Sequence, residues 1–342
     1  MSRRYSLLLT LLLGLGSAAG LRAQEAPPLN PYQTPPNHSN TLRIWGDRHM
    51  DDLARAWALA YRGQHPEIKF DVHLIGNGTA MPALYLGLAD VVLMGRDPIV
   101  TDNDGFAHVK KYVPLKVEFG TGSVASSGHS PALVLLVNQD NPLRHLTLGQ
   151  VDAIFSSLRL RGGSVALLTW GQLGLTGEWA DKAITLYGPD TQSPSGYFFE
   201  RVALGDSRRM NWDHYREFED VIRSDGSVLE ASAEAGASVG TDRYGLAVSS
   251  LAAPAPHTVA LALGEDNHAY LPTVEAIAAR RYPLARPLIA FADQPPGRPL
   301  DPKVKAFLAF ILGKEGQAVL EATQNYLPLP PDLAMNQLKR LD

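Results

Sequence analysis

Two hydrophobic periods take turns along this chain, and their order predicts its architecture. Leu42 and Ile44 alternate with polar neighbours, and Gly46 ends that strand. Leu53, Ala56, Trp57, Ala60 and Tyr61 then recur at helical spacing, which predicts an amphipathic helix over Met50–Arg62. Ile68, Phe70, Val72 and Leu74 alternate with Lys69, Asp71 and His73, the pattern of a half-buried strand. Gly76-Asn77-Gly78 turns the chain, Thr79 is placed to cap a short helix reaching Gly87, and Val91–Met94 reads as a third strand. Strand, helix, strand, helix, strand is the order of an α/β fold with parallel-type sheets flanked by helices.

The same order returns further on. Leu133–Val137 is an apolar run of strand length, broken by Asn138–Pro142, where Pro142 cannot donate to a ladder. Thr147 reads as a helix N-cap, with Val151, Ile154 and Phe155 at helical spacing behind it. Asp301-Pro302 opens a late helix whose buried stripe is Val304, Phe307, Leu308 and Ile311. By contrast Gln24–Asn40 is rich in Pro, Asn and Gln without an apolar period, and we expect a flexible lead-in there.

At 342 residues the chain exceeds one typical core, so two lobes are expected. The formal charge of −4 comes with no basic cluster, which argues against nucleic acid as a partner. Arg3 and Arg4 followed by the apolar Leu7–Leu15 and small residues at Ser17–Ala19 and Ala23 read as a cleaved secretory signal, with cleavage after Ala19 or Ala23 both open. That apolar stretch is shorter than the roughly 20 residues needed to span a bilayer. Cysteine is absent, which excludes disulfides, thiolate metal sites and a lipid-modified cysteine anchor. A free periplasmic protein is the simplest expectation.

The segment Ala132–Phe155, with its strand, Asn-Gln-Asp-Asn-Pro turn and Thr147 helix, resembles the phosphate-binding family of periplasmic solute-binding proteins, the receptors of phosphate ABC transporters. Val239–Leu251, Leu271–Ile289 and Val304–Pro330 match in the same order, so the resemblance runs from Leu42 to Leu329. It implies a two-lobed periplasmic binding protein of the class II type with two inter-lobe crossings, near Ser130–Val137 and near Val239–Ser249. On that reading residues 1–23 are the signal, 24–40 the lead-in, 41–128 with 246–342 lobe one, and 129–245 lobe two. The expected partners are a small anion, phosphate or another oxyanion, and an ABC permease. The expected protein is a monomer with no enzymatic activity and no cofactor.

In such a fold the ligand meets the carboxyl ends of strands, where helix N-termini offer free N–H groups. Three junctions qualify. Gly46-Asp47 follows the first strand, and Asp47 suits an oxyanion only by accepting a ligand proton; its bland role is a helix cap. Asn77-Gly78-Thr79 resembles the glycine and hydroxyl loop with which the family holds its anion, and also suits a plain capped turn. Gly188–Gly196 carries Gln192, Ser193, Ser195 and Gly196 before the aromatic pair Tyr197-Phe198. Here the family has an arginine and a Ser-Gly-Thr triplet. This chain has Pro189 and Gln192-Ser193-Pro194 instead, which removes a bidentate cation and predicts weaker phosphate binding. Arg96 is the remaining candidate cation, with a structural contact to Asp97 or to a backbone carbonyl as its other role. Thr121 and Ser123 form a fourth polar loop.

Other chemistries fare worse. Gly128-His129-Ser130-Pro131-Ala132 superficially matches a serine-hydrolase elbow, yet a strand rather than a helix follows it. Gly120–Ala125 matches a dinucleotide glycine pattern without the required helix. The histidines lack metal-binding spacing, so no catalytic or metal residue is assigned. Loss of the arginine leaves a second reading open, a degenerate receptor acting as a sensor or interaction module.

Overall fold

β1 (Thr41–Gly46) lies inside the first of two five-stranded sheets in a computed structural model, which describes residues 40–126, 128–225, 228–265 and 268–342. The expected signal peptide and nearly all of the lead-in lie outside the described residues. Sheet one runs β2 (Lys69–His73), β1, β3 (Val91–Met94), β14 (Pro287–Ala292), β4 (Leu115–Thr121). Sheet two runs β12 (Thr258–Ala260), β5 (Leu133–Asn138), β11 (Gly245–Ser250), β7 (Thr185–Pro189), β8 (Tyr215–Phe218). The short pairs β6 (His145–Leu146) with β13 (Ala262–Leu263), and β9 (Val221–Ile222) with β10 (Val228–Leu229), stand outside them.

Helices cover both sheets, so the central strands are buried on both faces. β3, β5, β11 and β14 accordingly read as unbroken runs of buried residues. β1, nearer an edge, keeps the alternation seen in its sequence. The sheets are mixed rather than wholly parallel. β1 is parallel to β2 and β3, but β14 runs antiparallel to β3 and β4 because the chain comes back into sheet one from the opposite end. In sheet two β7 is parallel to β8 and β11, while β5 runs antiparallel to β11 and β12.

The first six α-helices are α1 (Asp51–Arg62), α2 (Asn77–Tyr85), α3 (Val100–Lys110), α4 (Leu148–Phe155), α5 (Pro194–Ala203) and α6 (Ala231–Thr241). Thr147 caps α4 at the Gln150 amide, as its spacing predicts. Thr79 does not cap α2. The helix starts two residues earlier, and the Thr79 hydroxyl donates instead to the Gly76 carbonyl at 2.8 Å. α1 starts one residue after the expected Met50 and is preceded by a single 3-10 turn, Arg48–Met50, capped by Asp47.

Each sheet has its own core. Trp57 of α1, fully buried in the core against sheet one, packs edge-on to Phe119 with ring centroids 5.3 Å apart, and its indole N–H donates to the Gly316 carbonyl at 2.8 Å. Phe155, Trp170 and Phe198 anchor the core of sheet two.

The chain passes from sheet one to sheet two between Thr121 and Leu133. It returns between Leu284 and Pro287, not near Val239–Ser249 as the resemblance implied. β11 lies in the middle of sheet two, and Leu261, Leu263, Ile277, Tyr282 and Leu284 pack into that sheet's core. The boundary expected at 245/246 therefore falls inside a strand, and residues 246–285 stay with the second body. The two passages run side by side. The Gly122 amide donates to the Arg286 carbonyl at 2.9 Å, and the Leu133 amide to the Leu284 carbonyl at 3.1 Å.

Trp57→Ala should lower unfolding free energy by about 3–5 kcal/mol, through lost packing and the cavity left behind. Urea denaturation measures this, and a loss below about 1 kcal/mol would mean that this packing does not support sheet one.

Candidate functional site

A cavity of about 580 Å³ opens between the two sheets, lined from both bodies and from the crossings. From sheet one come Asp47 and His49 after β1, and Asn77 at the start of α2. From sheet two come Ser193–Ser195 at the start of α5, and Glu230–Ser232 at the start of α6. Three helix N-termini thus reach one space, each carrying a partial positive charge, although α5 opens on Pro194, which has no N–H to offer. At α5 part of that capacity is already used: the Ser193 hydroxyl accepts from the Gly196 amide at 3.0 Å. At α6 the Asp220 carboxylate accepts from the Ala231 amide at 2.9 Å.

The cation of this cavity is Arg286, at the return crossing just before β14. It is 5% exposed. Its guanidinium donates to the Ser195 hydroxyl at 3.1 Å, reaches the Pro194 carbonyl at 3.5 Å and lies over the Phe198 ring at 5.3 Å. Among the described residues no carboxylate pairs with it. Burial pulls its pKa down to about 10, still far above neutrality. The sequence reading missed this residue. A signal was present, since an arginine at the head of the buried run Pro287–Ala292 needs a reason to be there.

Arg96, expected as the cation, does not line the cavity. It is itself buried and bonds the Asp102 carboxylate at 2.6 Å and the Asp97 carbonyl at 2.9 Å, so its charge is met within the start of α3.

The other expected residues divide the same way. Asp47, Asn77, Ser193 and Ser195 line the cavity together. Gly196 is buried beside them, and a Cβ there would lie 2.2 Å from the Asp190 carbonyl oxygen. Gly46 shapes the junction: its φ is +138° and a Cβ would meet the Leu93 carbonyl oxygen at 1.9 Å, so only glycine lets Asp47 turn into the cleft. Gly78, Thr79 and Gln192 lie outside the lining, Gln192 exposed with its amide on Asp190. Thr121 is buried in β4, and the Ser123 hydroxyl closes its own turn by accepting from the Ala125 and Ser126 amides.

Asp47 is held as an acceptor. Burial pushes its carboxyl up, but the His49 side chain and amide, each at 3.1 Å, and the Asn77 amide group at 2.9 Å outweigh it and leave the pKa lowered. In return the Asp47 bond raises His49 above its ordinary 6.5. His129, with its ring 5.8 Å from that of His49, is lowered by burial and by His49. A second cavity, of about 660 Å³, lies by β12 and is lined largely by Val259, Ala260, Ala262, Leu271 and Ala276. It has no helix start of eight or more residues along it, so the inter-sheet cavity is the candidate site.

Comparison with known proteins follows the same lines. Residues 31–315 match the family model of a PBP superfamily domain. The phosphate-binding protein PstS of Pseudomonas aeruginosa is 32% identical over 330 residues, covering 96% of this chain and 95% of that protein. Among solved structures, PstS from Borrelia burgdorferi superposes with a TM-score of 0.55 at 16% identity, covering 85% of this chain and 99% of that one. An ABC-type phosphate transport receptor from Vibrio cholerae gives 0.53 at 19% identity, covering 84% and 100%. These two share the fold with this chain.

The histidine pair gives a pH test. The His49 pKa is raised on folding, so its stabilising contribution is complete below 6.5 and is lost as pH rises through the higher folded value. Asp47 is lowered, so its contribution holds above its ordinary 3.8 and is lost as pH falls through the lower folded value. NMR titration should show His49 titrating above 6.5 and His129 below it, with Asp47→Asn bringing His49 down. Equal midpoints for the two rings, unmoved by Asp47→Asn, would contradict the assignment.

Proposed function

The chain belongs to the PBP superfamily and within it to the family of phosphate-binding PstS proteins, and from that premise we propose that it captures phosphate in the cavity between its two sheets. Its relatives are binding proteins, and this chain is a receptor rather than an enzyme. The observation that carries the phosphate reading is Arg286. A desolvated guanidinium is costly unless an anion meets it, and this one has only a hydroxyl and a distant carbonyl. An oxyanion at the mouths of α2 and α5 would complete its fork and take up the first amides of α2 and the Ser195 amide of α5. Arg286 then supplies from the return crossing the cation that Pro189 cannot.

Asp47 sets a condition on that ligand. As an ionised carboxylate it only accepts, so the ligand oxygen facing it must carry a proton. Phosphate carries one at neutral pH and sulfate does not. The wider role is a receptor that works outside the cytoplasmic membrane as a monomer and hands its ligand to an ABC permease. The N-terminal signal pattern supports that address, and no helix among the described residues is long and apolar enough to cross a membrane.

Calorimetric titration tests the site. Arg286→Ala should weaken phosphate binding by about 10²–10⁴-fold, since two charge-assisted hydrogen bonds at roughly 1.5–3 kcal/mol each are removed. Arg96→Ala, engaged with Asp102, should change affinity far less. The reverse order would move the site to Arg96. Wild type should bind phosphate in preference to sulfate, and Asp47→Asn should erode that preference. Equal affinity for the two anions in wild type would refute the role given to Asp47.

A further inference from the structure

Ser195, Phe198 and Arg201 stand three residues apart and share one side of α5. That side belongs to the second body, since Phe198 and Phe199 pack in the core of sheet two. It faces outward to the first body at both ends. Ser195 takes the Arg286 guanidinium at one end. At the other, Arg201 bonds the carboxylate of Asp97, a residue just after β3 in sheet one. The Phe198 ring lies between, with Arg286 at 5.3 Å and Arg201 at 5.9 Å from its centroid. Asp97 is 4% exposed and also holds Lys116 of β4 at 3.2 Å. Lys116 and Asp97 sit on one sheet, so of the two pairs only Arg201–Asp97 spans the cleft.

We propose that Asp97 and Arg201 are a positioning pair that holds the two bodies at the separation where α5 and Arg286 meet the ligand together. Neither residue lines the cavity, so the pair acts through the cleft's geometry. This deepens the receptor reading and rests on it. A cleft held together releases its ligand slowly, so losing the pair should raise the dissociation rate more than it slows association.

Charge alone would act differently, and the two accounts separate cleanly. Asp97 is among the charges acting on Arg286, so neutralising it leaves the cleft more positive. A field effect therefore predicts that Asp97→Asn tightens binding of inorganic phosphate while Arg201→Gln weakens it. The positioning pair predicts that both raise Kd by about tenfold, chiefly through the dissociation rate, in the range of ordinary coupling between sites. The double variant should be no weaker than the worse single one, because both remove the same contact. Arg201→Lys should recover part of the loss, and Lys116→Gln should stay within about twofold of wild type.

Stopped-flow kinetics with inorganic phosphate reads these values, with thermal unfolding of each variant showing that it folds. Small-angle scattering of the ligand-free proteins is the second arm, where Arg201→Gln and Asp97→Asn should both enlarge the radius of gyration. Tightening by Asp97→Asn, or additive losses in the double variant, or an unchanged radius, overturns the proposal. If wild type fails to bind phosphate, the receptor reading falls on that result, and scattering alone then decides the pair.

Discussion

A guanidinium buried between two sheets, with no carboxylate in contact among the described residues, is the constraint around which this molecule is arranged. Arg286 keeps its charge because its pKa, though lowered by burial, stays near 10. Its neighbours offer one hydroxyl, one distant carbonyl and an aromatic face. Such a group is tolerable where two bodies can exchange water or ligand around it, and the crossing between sheets is such a place. The same residue is welded to the backbone there, since its carbonyl accepts from Gly122 on the neighbouring passage.

The rest of the cavity tempers that charge. Asp47, Asp220 and Glu230 all line it, so the space is not simply basic. Asp220 is occupied in capping α6, and Asp47 is tied to His49 and Asn77. On the proposed reading, what remains for a ligand is one guanidinium, the first amides of α2, the Ser195 amide, and acceptor oxygens that select for a proton. In the proposed site, attraction would come from dipoles and one cation, and discrimination from carboxylates.

Glycine shapes the approach of these groups at one decisive point. Gly46, at φ +138° and pressed against the Leu93 carbonyl, lets β1 end sharply enough to bring Asp47 over the cleft. Gly95 gives room on the opposite side, where a Cβ would come within 2.6 Å of the Asp47 carboxylate and 2.3 Å of the Ser130 hydroxyl. Close approach of backbone to functional side chains, rather than any loop motif, builds this corner.

Period and punctuation in the sequence were enough for the strands β1 to β3 and β5, for α1 and α4, and for two bodies rather than one, because those features depend on neighbours within a few residues. The junctions holding Asp47, Asn77, Ser193 and Ser195 were legible for the same reason: each is a local strand-to-helix turn. Three things were not. Arg286 looks like a stray charge before an apolar strand until the return crossing sets it against α5. For Arg96 the sequence left open a cleft cation or a structural contact at Asp97, and the fold decides for the latter, with Asp102, six residues away, turning back on the first turn of α3 to meet its charge. The return crossing itself fell about forty residues later than the segment that resembles it, because β11 is apolar enough to serve either sheet and only its pairing with β5 and β7 decides which. Local chemistry determined which groups exist and on which elements they sit. Which of them share a cavity, and which are neutralised before reaching it, depended on contacts between residues far apart in the chain, such as Asp47 and Arg286 around one cavity, and those only the folded chain brings together.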